Sequence, residues 1–138
     1  IMDIASSLSK FEKAKLTVLS CWQLYGEQAL KHGAFARVSA DKIDELLKVE
    51  ENEYKDSLDI LVSEYANSNF EQCLEKGSPK LLIPKYANSH EIDAVVMGTL
   101  SRSGIPGFLI GHNSETVLQR INSSVITLKP AGFLSPVR

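Results

Sequence analysis

Cysteine is scarce in this chain: two among 138 residues, Cys21 and Cys73, both inside apolar runs. A pair so placed reads as small buried hydrophobes rather than as a disulfide framework. The three histidines, His32, His90 and His112, share no short ligand spacing with each other or with a cysteine, so no metal centre is expected. Charge of one sign is lacking too. A net charge of −2 gives no electrostatic reason to expect nucleic acid or an anionic membrane surface as a partner. No apolar run approaches the ~20 residues that a membrane span requires. The opening IMDIASSLSKFEKAK has no basic region followed by an apolar one, so it does not read as a secretion signal. The expectation is a protein of the cytoplasm with one domain over residues 1–138.

What is present is an alternation of periodicities. Residues 3–14 suit an amphipathic helix with Ile4, Leu8 and Phe11 at helical spacing. KLTVLSCW, 15–22, is a strand too apolar for a wet face and suits the interior of a parallel sheet. Residues 23–38, with two glycines, read as a long irregular connection. A long helix follows over 39–66, capped by Ser39, with acidic residues in its first turns and a stripe of Ile43, Leu46, Leu47, Tyr54, Leu58, Leu61, Val62 and Tyr65. Its acidic series, Asp44 to Asp56, reads as a solvated face rather than a cation site.

NFEQCLEKG, 69–77, alternates as a strand, with Phe70, Cys73 and Leu74 inward. Ser78 and Pro79 open a helix that Pro84 should bend or restart. IDAVVMG, 92–98, is a strand with almost no polar face. Residues 114–121 are helical, and SSVITLKP, 123–130, is a last strand stopped by Pro130, followed by a tail with Phe133 and Leu134. Helix and strand alternate throughout, which implies right-handed crossovers: an α/β doubly wound parallel sheet with helices on both faces. Such folds begin with a central strand, and residues 1–4 are too short to supply it. A first strand preceding residue 1 is therefore expected.

The chemistry concentrates in GTLSRSGIPGFLIGHNSE, 98–115. In open α/β sheets ligands bind beyond the carboxyl ends of strands, and strand 92–98 delivers Gly98 to such a place. Gly104, Gly107 and Gly111 allow a close-folded loop. The helix start beyond Gly111 offers His112, Asn113 and Ser114 as donors to an anion, and Arg102 adds a charge. Glycine spacing alone also fits a tight packed turn. Arg102 could instead pair with Glu115 on the surface, His112 could face water, and Trp22 and Tyr25 could be packing residues at a strand end.

This loop resembles the signature of the universal stress proteins (the UspA superfamily), and most resembles their tandem-domain, E-type branch. SCWQLYGE, VEENEYKDSLDIL and the ending ITLKPAGFLSPV extend the likeness over nearly the whole chain. The resemblance implies a flavodoxin-like α/β/α sandwich with strand order 3-2-1-4-5, its first strand missing here. It implies a stress-response module, one half (the C-terminal one) of a two-domain protein. Pairing with another such domain, in a homodimer or within one chain, would run through the last strand, Ser124 to Leu128. It implies ATP, with Mg through its phosphates, over residues 97–114: Met97 beside the adenosine, with Cys21 a further neighbour, and Gly98, Ser101, Arg102, Gly111, His112, Asn113 and Ser114 around the phosphates. Ser101 stands where ATP-binding members have a second glycine, and His112 where they have a serine or threonine. If the second glycine has positive φ, serine there costs about 1–2 kcal/mol. The alternative is a degenerate half that binds no nucleotide and serves as a dimerisation and interaction module. No acid–base pair and no Walker lysine mark the loop, so catalysis beyond slow ATP hydrolysis is not expected.

Overall fold

The computed structural model describes residues 1–32, 38–65, 69–98 and 112–129. The element order is α1 (Met2–Glu12), β1 (Leu16–Trp22), α2 (Glu27–His32), α3 (Ala40–Ser63), β2 (Phe70–Lys76), α4 (Pro79–Ser89), β3 (Ala94–Gly98), α5 (His112–Arg120) and β4 (Ser124–Leu128). The chain divides into two compact units, one of Ile1–Leu16 with Pro79–Arg138 and the other of Thr17–Ser78.

In the Thr17–Ser78 unit, β1 pairs with β2. Gly77 N–H donates to the Trp22 carbonyl at 2.7 Å, so the C-terminal ends of both strands lie side by side. β1 was expected to be an interior strand. It is half-buried from Leu16 to Cys21, and only Trp22 is fully buried, because among the described residues the sheet has two strands and each keeps one edge unpaired. The cysteines are likewise half-buried rather than buried. Along β2, Phe70, Cys73 and Leu74 are half-buried and the other residues exposed, but consecutive side chains of a strand point to opposite faces, so Cys73 and Leu74 do not share one inward side as expected. Ser39 caps α3 by accepting from Lys42 N–H at 3.3 Å. Of the expected α3 stripe, Ile43 and Leu58 are buried, whereas Leu46, Tyr54 and Leu61 keep over a third of their surface exposed.

Residues 23–38 are not one irregular connection. Gly26, at φ 76°, turns the chain into α2, and Lys31 pairs with Glu27 one turn earlier at 2.6 Å. Lys76, at the end of β2, reaches the same carboxylate at 2.9 Å and lies 5.6 Å from the centroid of the Trp22 ring. This short helix is held by charges that its own periodicity does not contain.

In the other unit, β3 and β4 pair in parallel, with Ala94 opposite Ser124 and Gly98 opposite Leu128. If the expected preceding strand is numbered first, the pairings β1–β2 and β3–β4 are the 2–3 and 4–5 neighbours of the order 3-2-1-4-5. α4 runs as one continuous helix through Pro84, so the chain does not restart there. Proline removes one helical hydrogen bond, and its buried ring offsets that loss by removing apolar surface from water. Asn88 joins α4 to the end of α5: its amide donates to the Arg120 carbonyl and its carbonyl accepts from Asn122 N–H, both at 3.3 Å. The core here is Met2, Ala5, Ala87 and Val117, the last 1% exposed. α1 therefore buries the stripe of Met2, Ala5 and Ser6 rather than Ile4, Leu8 and Phe11, which are 41%, 38% and 82% exposed.

Candidate functional site

The expected site begins at the carboxyl end of β3. Its residues from Val95 to Gly98 are half-buried, Ala94 is exposed, and the strand carries no charged side chain to interrupt its apolar run. Gly98 does not have the left-handed backbone that would require glycine. A Cβ built there would lie 3.4 Å from Ile1 Cδ1 and 4.0 Å from the Leu128 carbonyl, ordinary van der Waals contacts. Neither strain nor crowding within the described residues accounts for glycine at the strand end.

α5 begins at His112, two residues before the expected start, so that His112 and Asn113 form the opening of the helix and contribute backbone N–H groups to its first turn. Ser114 is buried, 7% exposed, and its hydroxyl donates to the Gly98 carbonyl at 3.1 Å. One hydrogen bond thus ties the first turn of α5 to the last residue of β3, sixteen positions earlier. That turn carries the positive end of the helix dipole, and Glu115 stands in it as a compensating carboxylate.

Of the residues singled out from the sequence, the structure brings together Met97, Gly98 and the His112–Ser114 turn. Ser101, Arg102 and Gly111 lie outside the described residues. Cys21 belongs to the other compact unit, where its thiol is pushed up from an ordinary 9.0 to about 11, first by burial and then by Cys73 and Glu75. Of the two aromatic residues weighed as pocket or packing groups, Trp22 is buried at 4% exposure and Tyr25 is 91% exposed. Among the described residues no group of three His, Cys, Asp or Glu side chains is placed to hold a metal ion, and no helix is long and apolar enough to cross a membrane.

The tie from Ser114 to the Gly98 carbonyl was not legible in advance. Sequence spacing put Ser114 at the phosphate-facing turn but could not tell that its hydroxyl proton is committed to the strand end.

The model of the universal stress protein family matches residues 2–129, which takes in both compact units. Universal stress protein E of Escherichia coli K12 is 33% identical over 64 residues, 46% of this chain and 20% of the E. coli protein. The match therefore spans about a fifth of the length of the first curated relatives. Among solved structures, the universal stress protein UspA from Lactobacillus plantarum superposes with a TM-score of 0.73 at 24% identity, covering 92% of this chain and 86% of that one. A universal stress protein in complex with cAMP superposes with a TM-score of 0.55 at 20% identity, covering 92% and 82%.

Proposed function

The chain belongs to the universal stress protein family and has its flavodoxin-like α/β fold, and on that premise we propose that it is a stress-response domain that binds an adenine nucleotide where β3 meets α5. The observation that carries this reading is the Ser114–Gly98 hydrogen bond. It holds a helix N-terminus, with its unsatisfied N–H groups, at the end of a strand whose terminal glycine leaves the backbone open to close approach. A relative of the same fold bound to cAMP supports adenine nucleotides as the ligand class. ATP is the ligand we assign, with Mg carried by its phosphates. Met97 sits at the adenosine side, and Gly98, Gly111, His112, Asn113 and Ser114 at the phosphates. Ser101 and Arg102 complete the loop between them.

The protein acts as one domain of a longer, tandem assembly in the cytoplasm, paired with a second universal stress protein domain through β4. Two observations support the tandem reading. The 64 matched residues are 20% of the E. coli relative, so that protein has about 320 residues, more than twice the 138 of this chain. The loop signature and the ending ITLKPAGFLSPV are those that mark the E-type branch.

The test is calorimetric titration of MgATP and, separately, cAMP into the protein and its Gly98→Ala variant. Micromolar binding to the protein, weakened tenfold or more in the variant while thermal stability stays level, supports the site. Absence of heat up to millimolar nucleotide removes it. A pairing module is then left, a reading that the exposed Ile4, Leu8 and Phe11 of α1 favour.

A further inference from the structure

Outside that site, the Thr17–Ser78 unit brings two thiols and a carboxylate onto one face of a sheet. Cys21 is the penultimate residue of β1 and Cys73 lies at the middle of β2, the neighbouring strand. The bond from Gly77 N–H to the Trp22 carbonyl fixes how they align. An antiparallel pair joined at those two residues would leave the strands without overlap, so they run in parallel. The parallel ladder then sets Trp22 beside Lys76 and Cys21 beside Glu75, with Cys73 two residues back on the same face. The contacts agree. Lys76 lies over the Trp22 ring, Cys73 Sγ is 3.8 Å from Glu75 Oε1, and Cys21 feels both Cys73 and Glu75 electrostatically.

This diagonal relation decides what the thiols can do together. Strands about 4.8 Å apart and a rise of about 3.3 Å per residue put the two Cα atoms about 8 Å apart. A disulfide needs roughly 4.4–6.8 Å. Bonds of about 2.3 Å from each thiolate to one central ion hold the sulfurs up to ~4.6 Å apart, against ~2.05 Å across a disulfide. Among the described residues no group of three His, Cys, Asp or Glu side chains is placed to give a higher coordination number. We propose that Cys21 and Cys73 form a two-coordinate site for a thiophilic d10 cation of the Cu(I) class, with the Glu75 carboxylate supplying an additional negative field.

The chemistry balances as one cation and two thiols giving a bis-thiolate complex and two released protons. Soft thiolate ligands select Cu(I) over harder cations. Burial first, and then the negative charges of Cys73 and Glu75, hold the Cys21 proton in place. A cation between the sulfurs turns that repulsion into attraction. Both side chains are half-buried, so a bare ion reaches them without unfolding the sheet.

The test is an anaerobic titration with Cu(I) against bicinchoninate, a chromogenic competing chelator. One Cu(I) per chain is withdrawn by the protein, and Cys21→Ser and Cys73→Ser each weaken this at least a hundredfold, with circular dichroism unchanged. X-ray absorption on the loaded protein reads two sulfur neighbours. Failure to compete with the chelator, retention of Cu(I) by the Cys21→Ser/Cys73→Ser double variant, or a nitrogen or oxygen neighbour at the ion would each overturn the site. So would rapid diamide-driven closure of an intramolecular disulfide in the folded protein, since it requires the thiols to be closer than this register allows.

Discussion

Ser114 donates its hydroxyl proton to the carbonyl of Gly98 across 3.1 Å, and both groups are withdrawn from bulk water. Removing the donor leaves a part-buried carbonyl without that partner, a loss of about 1–2 kcal/mol. Ser114→Ala is therefore expected to lower unfolding free energy by that amount in urea denaturation. It should also speed hydrogen exchange of the first-turn amides of α5 relative to those of α4. An unchanged denaturation midpoint would mean that the bond contributes nothing net.

Glu27 accepts from Lys31 and Lys76, and these hydrogen bonds hold its carboxyl below the usual carboxylate range, Lys31 having the larger effect. The pairs are solvent-reached, with both lysines about two-fifths exposed, so Glu27→Gln should cost only about 0.5–1 kcal/mol. The sign follows from the lowered pKa. The stabilisation is complete above the ordinary carboxylate range and disappears as pH falls through the folded-state value. Denaturation curves of the two proteins at neutral pH and at pH of about 3 should therefore differ in the first case and converge in the second. A gap that persists in acid would point to packing rather than charge.

This cluster also shows what a one-dimensional pattern carries and what it omits. The β1–β2 and β3–β4 strands, the Ser39 cap and the opening of α4 at Pro79 are local signals, and all appear in the structure where hydropathy and capping put them. α2 is not local. Part of its support is Lys76, 49 residues away, so the glycine-flanked segment before position 38 gave no helical signal strong enough to be read. The α1 face was misread for a related reason. Periodicity finds Ile4, Leu8 and Phe11, but the face that the fold buries carries Met2, Ala5 and Ser6. At the candidate site, Gly98 and the turn at 112–114 were found by their relation to a strand end and a helix start. The Ser114 hydroxyl bond needed the fold.

Ser6 is 6% exposed, and its Oγ lacks a hydrogen-bond partner among the described residues. A buried hydroxyl that leaves water without compensation costs about 1–3 kcal/mol, and alanine removes it while favouring the helix. Ser6→Ala should raise the unfolding free energy by roughly 1 kcal/mol. A decrease on that substitution would show that the hydroxyl is satisfied in solution and that α1 has a polar contact to account for.

Cys21 gives the chain an alkaline limit. Burial, with Cys73 and Glu75 adding their charge, moves its thiol from 9.0 to about 11. The unfolded chain releases this proton at lower pH than the folded one, so the folded state binds more protons between those values. Its contribution to stability is complete below pH 9.0 and declines until about pH 11. Thermal melts across that interval should fall more steeply for the native chain than for Cys21→Ser, whose side chain does not titrate there. The two curves should run parallel at neutral pH. Equal alkaline slopes would mean that the thiol is solvated and titrates as it does in the unfolded chain, and they would equally weaken the case for a close Cys21–Cys73 pair.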